Sequence, residues 1–384
     1  MSKTIVNIIS REHPLAAYLF TKTYYETGDK LLFVSANENF DCITPLVKTL
    51  KVDKEVVQCI VLRRDSDKYT YERICRIINN ALDKTTEYYV NLAGGTRYMA
   101  LSVQHVFSNY HSKFFYIQTR ENLIVRTIFD NSIYDNDDEI CPIRHNMTLA
   151  EYFNVYGLTH DLDQPRPLVA ETQTVCSPSH LFEMFSKRKL NNNDFKVMEV
   201  LREKYRNWKY LDIHEVEQTI NDNMVPIPNL SRFLNYIKFT PAEKGILQRV
   251  ELDYLTGGWF EEYVYGLIKK QVDPYDIAIG VHIDGCTEIR HNNELDVCFI
   301  KNNQLFVIEC KSGINSESMF NEIVYKVSAL KEVLLGLDCQ SYIFSLKRDP
   351  TGDLKKIAKY MGITFCDYDC LTQETKINKV LRKT

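Results

Sequence analysis

Residues 294–311, ELDVCFIKNNQLFVIECK, contain two runs rich in Val, Ile, Leu and Phe on either side of a polar four-residue stretch. This pattern is typical of a β-hairpin. A two-residue loop at Asn302 and Asn303 requires φ > 0 at both positions, which Asn tolerates better than most residues. The stretch therefore predicts two antiparallel strands whose register is set by the pair Lys301 and Gln304 next to the loop.

Two carboxylates and a lysine converge on one face of this hairpin. Counting back from the loop places Asp296 opposite Glu309, and directly opposed residues have Cβ atoms roughly 5 Å apart. Side chains alternate along a strand, so Lys311 shares a face with Glu309. The opposite face is predicted to supply the core residues Val297, Phe299, Phe306 and Ile308.

Opposed carboxylates repel each other unless a positive charge lies between them. A divalent cation with oxygen ligands would supply that charge, and the carbonyl of Cys310 is within reach as a further ligand. Lys311 would then orient or deprotonate an attacking water, or stabilise charge on a phosphate. The alternative is an exposed polar face on which Lys311 only neutralises Glu309. The spacing alone leaves both interpretations open.

A helix predicted to begin within residues 257–262, GGWFEE, precedes the hairpin. At about 100° per residue, Glu261 lies at the border of its apolar stripe, while Glu262 points nearly opposite. Glu261 is therefore the better candidate for a third acidic group near the hairpin. Alternatively, either glutamate only supplies favourable charge near a helix N-terminus. The stripe consists of Phe260, Val264, Leu267 and Ile268.

Asp296 followed by Glu309-Cys310-Lys311 resembles the active-site motif of the PD-(D/E)XK nuclease superfamily. The resemblance implies a restriction-endonuclease-like fold in which an aspartate from one strand and Glu-x-Lys from the next bind Mg²⁺ or Mn²⁺. An acidic residue from a preceding helix often completes that site, which here would be Glu261. The metal ligands implied are Asp296, Glu309 and the carbonyl of Cys310, with Lys311 as the residue that positions water.

The first 145 residues alternate short apolar strands with helical patterns, which predicts βαβ units and a parallel, Rossmann-like sheet. Such sheets bind ligands outside the carboxyl ends of their strands. After the fourth strand, residues 91–97, NLAGGTR, let backbone N–H groups approach an anion at a helix N-terminus. Two further strand ends supply polar candidates. The candidate ligand-binding residues are Ser10, Arg11, Asn37, Gly94, Gly95, Thr96 and Arg97. A simple tight turn is the alternative for the two glycines.

Gly94-Gly95-Thr96-Arg97 resembles the signature of CARF domains, the sensors of cyclic oligoadenylate in type III CRISPR defence. The resemblance implies a homodimer with the ring-shaped ligand across its two-fold axis. Ala93 stands where the family commonly has Ser or Thr, and Arg97 where it commonly has Lys. A CARF domain followed by a PD-(D/E)XK domain is the architecture of CRISPR-associated nucleases that cyclic tetra-adenylate activates.

Residues 146–245 are predicted to form a linker and a helical module, and residues 246–384 the nuclease domain. From 161 to 178 the chain has three prolines and little periodicity, and three short helices that follow resemble a winged-helix module. Eleven cysteines without a C-x-x-C pair indicate buried thiols in a reducing compartment. No charged leader and no run near ~20 apolar residues is present, so a cytoplasmic location is expected.

The sequence thus predicts a metal-dependent endonuclease that a cyclic oligoadenylate activates, with single-stranded DNA as the expected substrate and RNA or supercoiled duplex as further ones. A net charge of −4 argues against bulk adhesion to nucleic acid but allows a local basic groove. One alternative is a ligand-responsive transcription regulator with a vestigial nuclease fold. Another is a phosphodiesterase that acts on the cyclic oligoadenylate itself.

Overall fold

A computed structural model describes residues 2–10, 13–36, 41–62, 70–127, 139–173, 175–190, 207–218, 229–284, 293–313, 316–331 and 339–381, with the single residues 194, 197, 200, 201, 205 and 227. Within this part of the chain, no helix is long and apolar enough to cross a membrane.

The N-terminal part alternates strands and helices as predicted. The elements are β1 (Lys3–Ile9), α1 (Pro14–Tyr24), β2 (Lys30–Ala36), α2 (Ile43–Leu50), β3 (Val57–Leu62), α3 (Tyr71–Asn79), β4 (Glu87–Asn91), α4 (Arg97–Phe107), β5 (Ser112–Gln118), β6 (Leu123–Thr127) and β7 (Glu139–Pro142). They form a seven-stranded sheet in the order β3-β2-β1-β4-β5-β6-β7. The first five strands of this order are parallel, and β6 and β7 are antiparallel additions. The predicted parallel sheet is confirmed, whereas β7 was not predicted.

The middle of the chain is more ordered than a linker. Its elements are α5 (Leu149–Val155), β8 (Thr159–His160), a 3₁₀ turn (Val169–Glu171), α6 (Pro178–Ser186), β9 (Tyr210–Asp212), α7 (Ile213–Gln218), α8 (Leu230–Tyr236) and β10 (Ile246–Gln248). A capping box of Thr148 and Glu151 begins α5. β9 and β10 pair as a small antiparallel sheet beside the helices. Residues 161–173, which we call the connecting segment, contact the C-terminal part of the chain through Asp161, Arg166, Val169 and Ala170, while several of the other side chains in the segment are exposed.

The C-terminal part contains a second sheet. Its elements are α9 (Arg249–Asp253), a π-turn (Tyr254–Gly258), α10 (Trp259–Gln271), β11 (Asp276–Asp284), β12 (Asn293–Lys301), β13 (Gln304–Lys311), α11 (Glu317–Leu330), β14 (Gln340–Ser345), α12 (Asp353–Tyr360), β15 (Ile363–Cys366), α13 (Tyr368–Leu371) and α14 (Glu374–Leu381). The strand order is β15-β14-β13-β12-β11-β8. β11, β12 and β13 are antiparallel, and β14 and β15 add in parallel.

The two sheets are joined through a shared apolar core and through the loop of the hairpin. Phe20 of α1 and Phe115 of β5 belong to the same buried cluster as Cys298 and Val307 of the second sheet. The side chain of Asn303, only 1% exposed, reaches across this boundary. It donates to Asn122 Oδ1 (2.7 Å) and His145 O (2.8 Å), and it accepts from Met147 N (2.8 Å). The hairpin loop is therefore fastened to the N-terminal part.

Candidate active site

The hairpin adopts the predicted register. Asn302 and Asn303 have φ of 50° and 60°, and Lys301 pairs with Gln304. The pairing continues through Val297 and Ile308, which places Asp296 and Glu309 at the next position. The residues predicted to face the core are all buried in one apolar cluster: Val297, Phe299, Phe306 and Ile308.

The two carboxylates and Lys311 form one buried cluster. Asp296 is 7% exposed and Glu309 is 4% exposed, which excludes the exposed polar face. The Nζ of Lys311 lies 2.7 Å from Glu309 Oε1 and 3.4 Å from Asp296 Oδ2. Lys326 from α11 approaches Glu309 Oε1 at 3.3 Å. The backbone N–H of Cys310 donates to Asp296 Oδ2 at 2.7 Å, which fixes that carboxylate across the strand pair.

These contacts divide the charge unequally. Burial, reinforced by the neighbouring carboxylate of Glu309, raises the pKa of Asp296 to about 7. Burial also opposes ionisation of Glu309, but Lys311 and Lys326 outweigh it and lower the pKa of Glu309 below its usual range. For Lys311, burial is outweighed by Asp296 and Glu309, so its pKa is raised. In this cluster, ionisation is therefore favoured for Glu309 and disfavoured for Asp296, and Lys311 is held in its protonated form.

Of the two glutamates that begin α10, only Glu261 faces this cluster. Its charge contributes to the raised pKa of Asp296. Glu262 was expected to point away from the core, and that expectation is wrong: it is only 5% exposed. Its two carboxylate oxygens accept from Val169 N (2.9 Å) and Ala170 N (2.8 Å) of the connecting segment. Both carboxylate oxygens of Glu262 are thus occupied by hydrogen bonds from backbone N–H groups. Burial raises the pKa of Glu262.

The donor set can be compared with what a divalent ion requires. Within the described ranges, no three His, Cys, Asp or Glu side chains converge in metal-binding geometry. Asp296 and Glu309 nevertheless offer two close carboxylates, the ligand type that Mg²⁺ and Mn²⁺ prefer. Burial and the neighbouring carboxylate of Glu309 together raise the pKa of Asp296, and a divalent ion between the two carboxylates would offset both effects. A divalent ion ligated by these two groups and the carbonyl of Cys310 fits this chemistry.

A second polar site lies at the carboxyl edge of the first sheet. Gly94 and Gly95 have φ of 123° and 61°, and both press against the end of β1. A Cβ at Gly94 would lie 2.3 Å from the carbonyl oxygen of Ile8, and one at Gly95 would lie 2.4 Å from its Cγ2. Only glycine fits either position. The two glycines therefore form a tight turn between β4 and α4, and the same turn brings the backbone close to the end of β1.

The remaining candidates at this edge are exposed or half-buried, or lie outside the described residues. The hydroxyl of Thr96 accepts from Met99 N at 3.2 Å and caps α4. Arg97 begins that helix with its side chain exposed. Ser10 follows β1, and its hydroxyl accepts from His13 N at 3.2 Å. Two candidates, Arg11 and Asn37, lie outside the described residues.

Comparison with known families finds a match for each of the two parts of the chain. Residues 4–152 match the family described as the Card1 CARF domain. Residues 249–377 match the family described as the Card1-like endonuclease domain. The chain therefore consists of a Card1 CARF domain followed by a Card1-like endonuclease domain. The Card1 CARF domain contains the Gly94–Gly95 turn, and the Card1-like endonuclease domain contains the Asp296–Glu309 cluster.

Solved structures share the fold of this chain at low identity. Protein VC1899 from Vibrio cholerae superposes with a TM-score of 0.76 at 18% identity over 99% of this chain and 98% of its own. Can2 from Sulfobacillus thermosulfidooxidans, solved with cyclic tetra-adenylate, gives 0.67 at 18% identity over 99% and 96%. A type III CRISPR defence DNA nuclease activated by cyclic oligoadenylate gives 0.50 at 13% identity over 90% and 45%. No curated protein sequence matches the chain.

Two residues near these sites carried no recognised signal in the sequence. Asn303 was assigned only to the loop, yet its side chain joins the hairpin to the CARF part. Arg166, within the Pro-rich segment, donates to Glu261 beside the acidic cluster. Both contacts link residues more than ninety positions apart, so no local pattern indicates them. Pro165 and Pro167 on either side of Arg166 are the only local cue.

Proposed function

We propose that this chain is a metal-dependent endonuclease of antiviral defence that a cyclic oligoadenylate activates allosterically, with cyclic tetra-adenylate as the ring. The observation that carries the proposal is the buried cluster of Asp296, Glu309 and Lys311 in a chain that also has a CARF domain. The endonuclease family match supports the reaction class. The bound ring in the Can2 structure supports the choice of activator.

At the proposed metal site, Asp296, Glu309 and the carbonyl of Cys310 would hold Mn²⁺ or Mg²⁺, with Glu261 in support. A divalent ion bound there would stabilise negative charge on the phosphodiester as a Lewis acid. Lys311 is protonated in the present arrangement, so its role is to orient a water molecule or to bind a phosphate oxygen. The cluster is a PD-(D/E)XK site in this proposal, and the order of α10, three antiparallel strands, α11 and β14 agrees with that fold.

The proposed sensor site comprises the exposed edge of the CARF sheet in two protomers. The ring would contact Ser10, Arg11, Asn37 and the turn at residues 94–97 from both sides of a two-fold axis. Backbone N–H groups at the start of α4 suit an anionic ligand. Tyr98 and Leu101, the exposed apolar side chains of α4 at 41% and 60%, support a homodimer contact next to that turn.

The substrate is proposed to be single-stranded DNA, with RNA or nicking of supercoiled duplex as further activities. The test is incubation of the purified chain with Mn²⁺ and a panel of cyclic oligoadenylates, followed by single- and double-stranded DNA and RNA. We expect cleavage that requires both the metal ion and cyclic tetra-adenylate. Glu309→Ala and Lys311→Ala should abolish cleavage, while Glu322→Ala, an exposed carboxylate on α11, should not.

Other outcomes of the same assay would overturn parts of the proposal. Full cleavage by both Glu309→Ala and Lys311→Ala would remove the site assignment. Sequence-specific duplex binding without metal-dependent cleavage would support a transcription regulator instead. A ring opened during long incubation with Glu309→Ala would assign phosphodiesterase activity to the CARF domain.

A further inference from the structure

Arg166 reaches the acidic cluster from outside both matched domains. It belongs to the connecting segment, which follows the CARF match at residue 152 and precedes the endonuclease match at residue 249. Its Nη1 donates to Glu261 Oε2 at 2.5 Å. The side chains of the pair are 26% and 18% exposed, so the charge-assisted bond is largely shielded from solvent.

The strand beneath Arg166 leaves room for its side chain. The register of β11 against β12 places Gly280 opposite Asp296. A Cβ at Gly280 would lie 3.1 Å from Arg166 Cδ and 3.4 Å from Nη1. A Cβ at Gly258 would lie 3.5 Å from Nη2. The arginine thus lies over the strand position beside Asp296, on a surface where two glycines make space for it.

The connecting segment is held firmly at one end and weakly at the other. At the C-terminal end, the buried carboxylate of Glu262 accepts from Val169 N and Ala170 N. At the N-terminal end, Asp161 accepts from His282 N (2.8 Å) and approaches its Nδ1 (2.9 Å). The side chains of that second contact are 39% and 41% exposed, which makes it the weaker one.

Two prolines limit the backbone around Arg166. Pro165 and Pro167 flank it, so its own φ and ψ are restricted to extended values by the proline that follows. An extended arginine with restricted backbone freedom loses little further entropy when its side chain pairs with Glu261. The sequence Pro-Arg-Pro therefore presents the guanidinium toward α10 while the two ends of the segment are held on β11 and α10.

Formal charges at the cluster already cancel. Three carboxylates face three cations: Glu261, Asp296 and Glu309 against Arg166, Lys311 and Lys326. A divalent ion would add two positive charges to this balanced set, so binding it favours the departure of a cation. Lys311 and Lys326 are on β13 and α11 of the endonuclease domain. Arg166 is the member of the set on the segment that leads from the CARF domain.

We propose that Arg166 competes with the divalent metal ion for Glu261 and so holds the nuclease site inactive until the CARF domain moves the connecting segment. The inference rests on the proposed metal-dependent nuclease function and adds its regulation. With Arg166 in place, the carboxylate of Glu261 is neutralised and the space beside Asp296 is covered. With Arg166 withdrawn, the third acidic group is free to support the metal ion.

Direct metal binding tests this without any cleavage reaction. Mn²⁺ binding to the full chain is measured by electron paramagnetic resonance at pH 7.5, with neither substrate nor activator. Arg166→Gln should lower the Kd roughly fivefold, which corresponds to about 1 kcal/mol. Arg249→Gln is the matched control, because it also removes an arginine paired with an acid, at the exposed pair with Asp253. Its Kd should equal that of the wild type.

Cleavage without activator is the second measurement. Arg166→Gln should raise basal cleavage and reduce the ratio of activated to basal rate, whereas Arg249→Gln should leave both unchanged. Unchanged or weaker Mn²⁺ binding by Arg166→Gln would overturn the proposal. If the variant also cleaved more slowly than the wild type in the presence of the activator, Arg166 would instead be a residue that positions Glu261. If Arg166→Gln is too unstable to measure, Arg166→Lys is used in its place. An Mn²⁺ Kd of Arg166→Lys equal to that of the wild type would support competition by charge, and a higher Kd would contradict the proposal.

Failure of the underlying function would look different. If the wild type bound Mn²⁺ and Glu309→Ala did not, but no nucleic acid were cleaved with any ring, the nuclease proposal would fail while the competition for Glu261 could still be measured. If Mn²⁺ binding survived Glu309→Ala unchanged, the metal would lie elsewhere, and the proposed competition would fail with the site.

Discussion

Replacing Asn303 by glycine should loosen the joint between the CARF part and the nuclease sheet. Glycine keeps the positive φ of 60° at no steric cost, so the change removes the side-chain bonds and little else. Three bonds are lost, to Asn122 Oδ1, His145 O and Met147 N. At a net value of about 1 kcal/mol each, the free energy of unfolding should fall by about 3 kcal/mol.

Asn302→Gly is the matched control, because Asn302 is the exposed neighbour in the same loop, with φ of 50°. Both variants gain the same backbone entropy in the unfolded chain, so their difference isolates the bonds of Asn303. The assay is urea unfolding followed by the fluorescence of Trp259, which is 1% exposed in the endonuclease domain. Equal transition midpoints for the two variants would refute the reasoning, since the loop bonds would then contribute nothing.

Three further outcomes are expected. Without metal, Asp296→Asn should stabilise the chain at pH 8, because a carboxyl pKa raised to about 7 makes the wild type lose stability as pH rises from about 4 to 7. In urea titrations the gain should therefore shrink below about pH 7 and vanish near pH 4, and it should reverse with Mn²⁺. Arg97→Ala should weaken binding of the cyclic oligoadenylate by about 3–6 kcal/mol, measured by calorimetry, because two charge-assisted contacts are lost. The free energy of unfolding should not change, because the side chain of Arg97 is exposed. Unchanged affinity would contradict the proposed sensor site. Gly94→Ala should destabilise the CARF sheet by about 2–4 kcal/mol, because its Cβ would meet the carbonyl of Ile8 at 2.3 Å; a thermal midpoint equal to that of the wild type would contradict this.

The sequence predicts those features of the fold and site that depend only on the geometry of residues close together in the chain. The hairpin register follows from the Asn302–Asn303 loop and strand alternation, and it brings Asp296 and Glu309 together without any knowledge of the rest of the fold. The turn at Gly94–Gly95 is similar, since the strand-to-helix transition and the following Thr96 cap are both local.

Glu262 shows where the same reasoning fails. A helical wheel places it away from the apolar stripe, but two backbone N–H groups of the connecting segment cover it. Those N–H groups come from residues 92 and 93 positions earlier in the chain, in a stretch with no periodicity. The wheel measures only the helix's own pattern, so a partner of this kind lies outside what it can predict. The contact of Arg166 with Glu261 cannot be predicted from a local pattern either, because the two residues are 95 positions apart.

The strengths of the contacts indicate which of them yields when the sensor is occupied. Moving an equilibrium from 1:99 to 99:1 requires about 5.5 kcal/mol of differential binding. In the proposed homodimer, breaking the three bonds of Asn303 in both protomers would cost about 6 kcal/mol. The partly exposed pairs of Arg166 and Asp161 would cost about 1 kcal/mol each, or about 4 kcal/mol for both protomers. We therefore expect the hairpin loop to stay fastened while the N-terminal half of the connecting segment moves. In hydrogen exchange with cyclic tetra-adenylate, the amide of His282, which donates to Asp161, should exchange faster, and the amide of Met147 should not; the opposite pattern would place the moving joint at the loop.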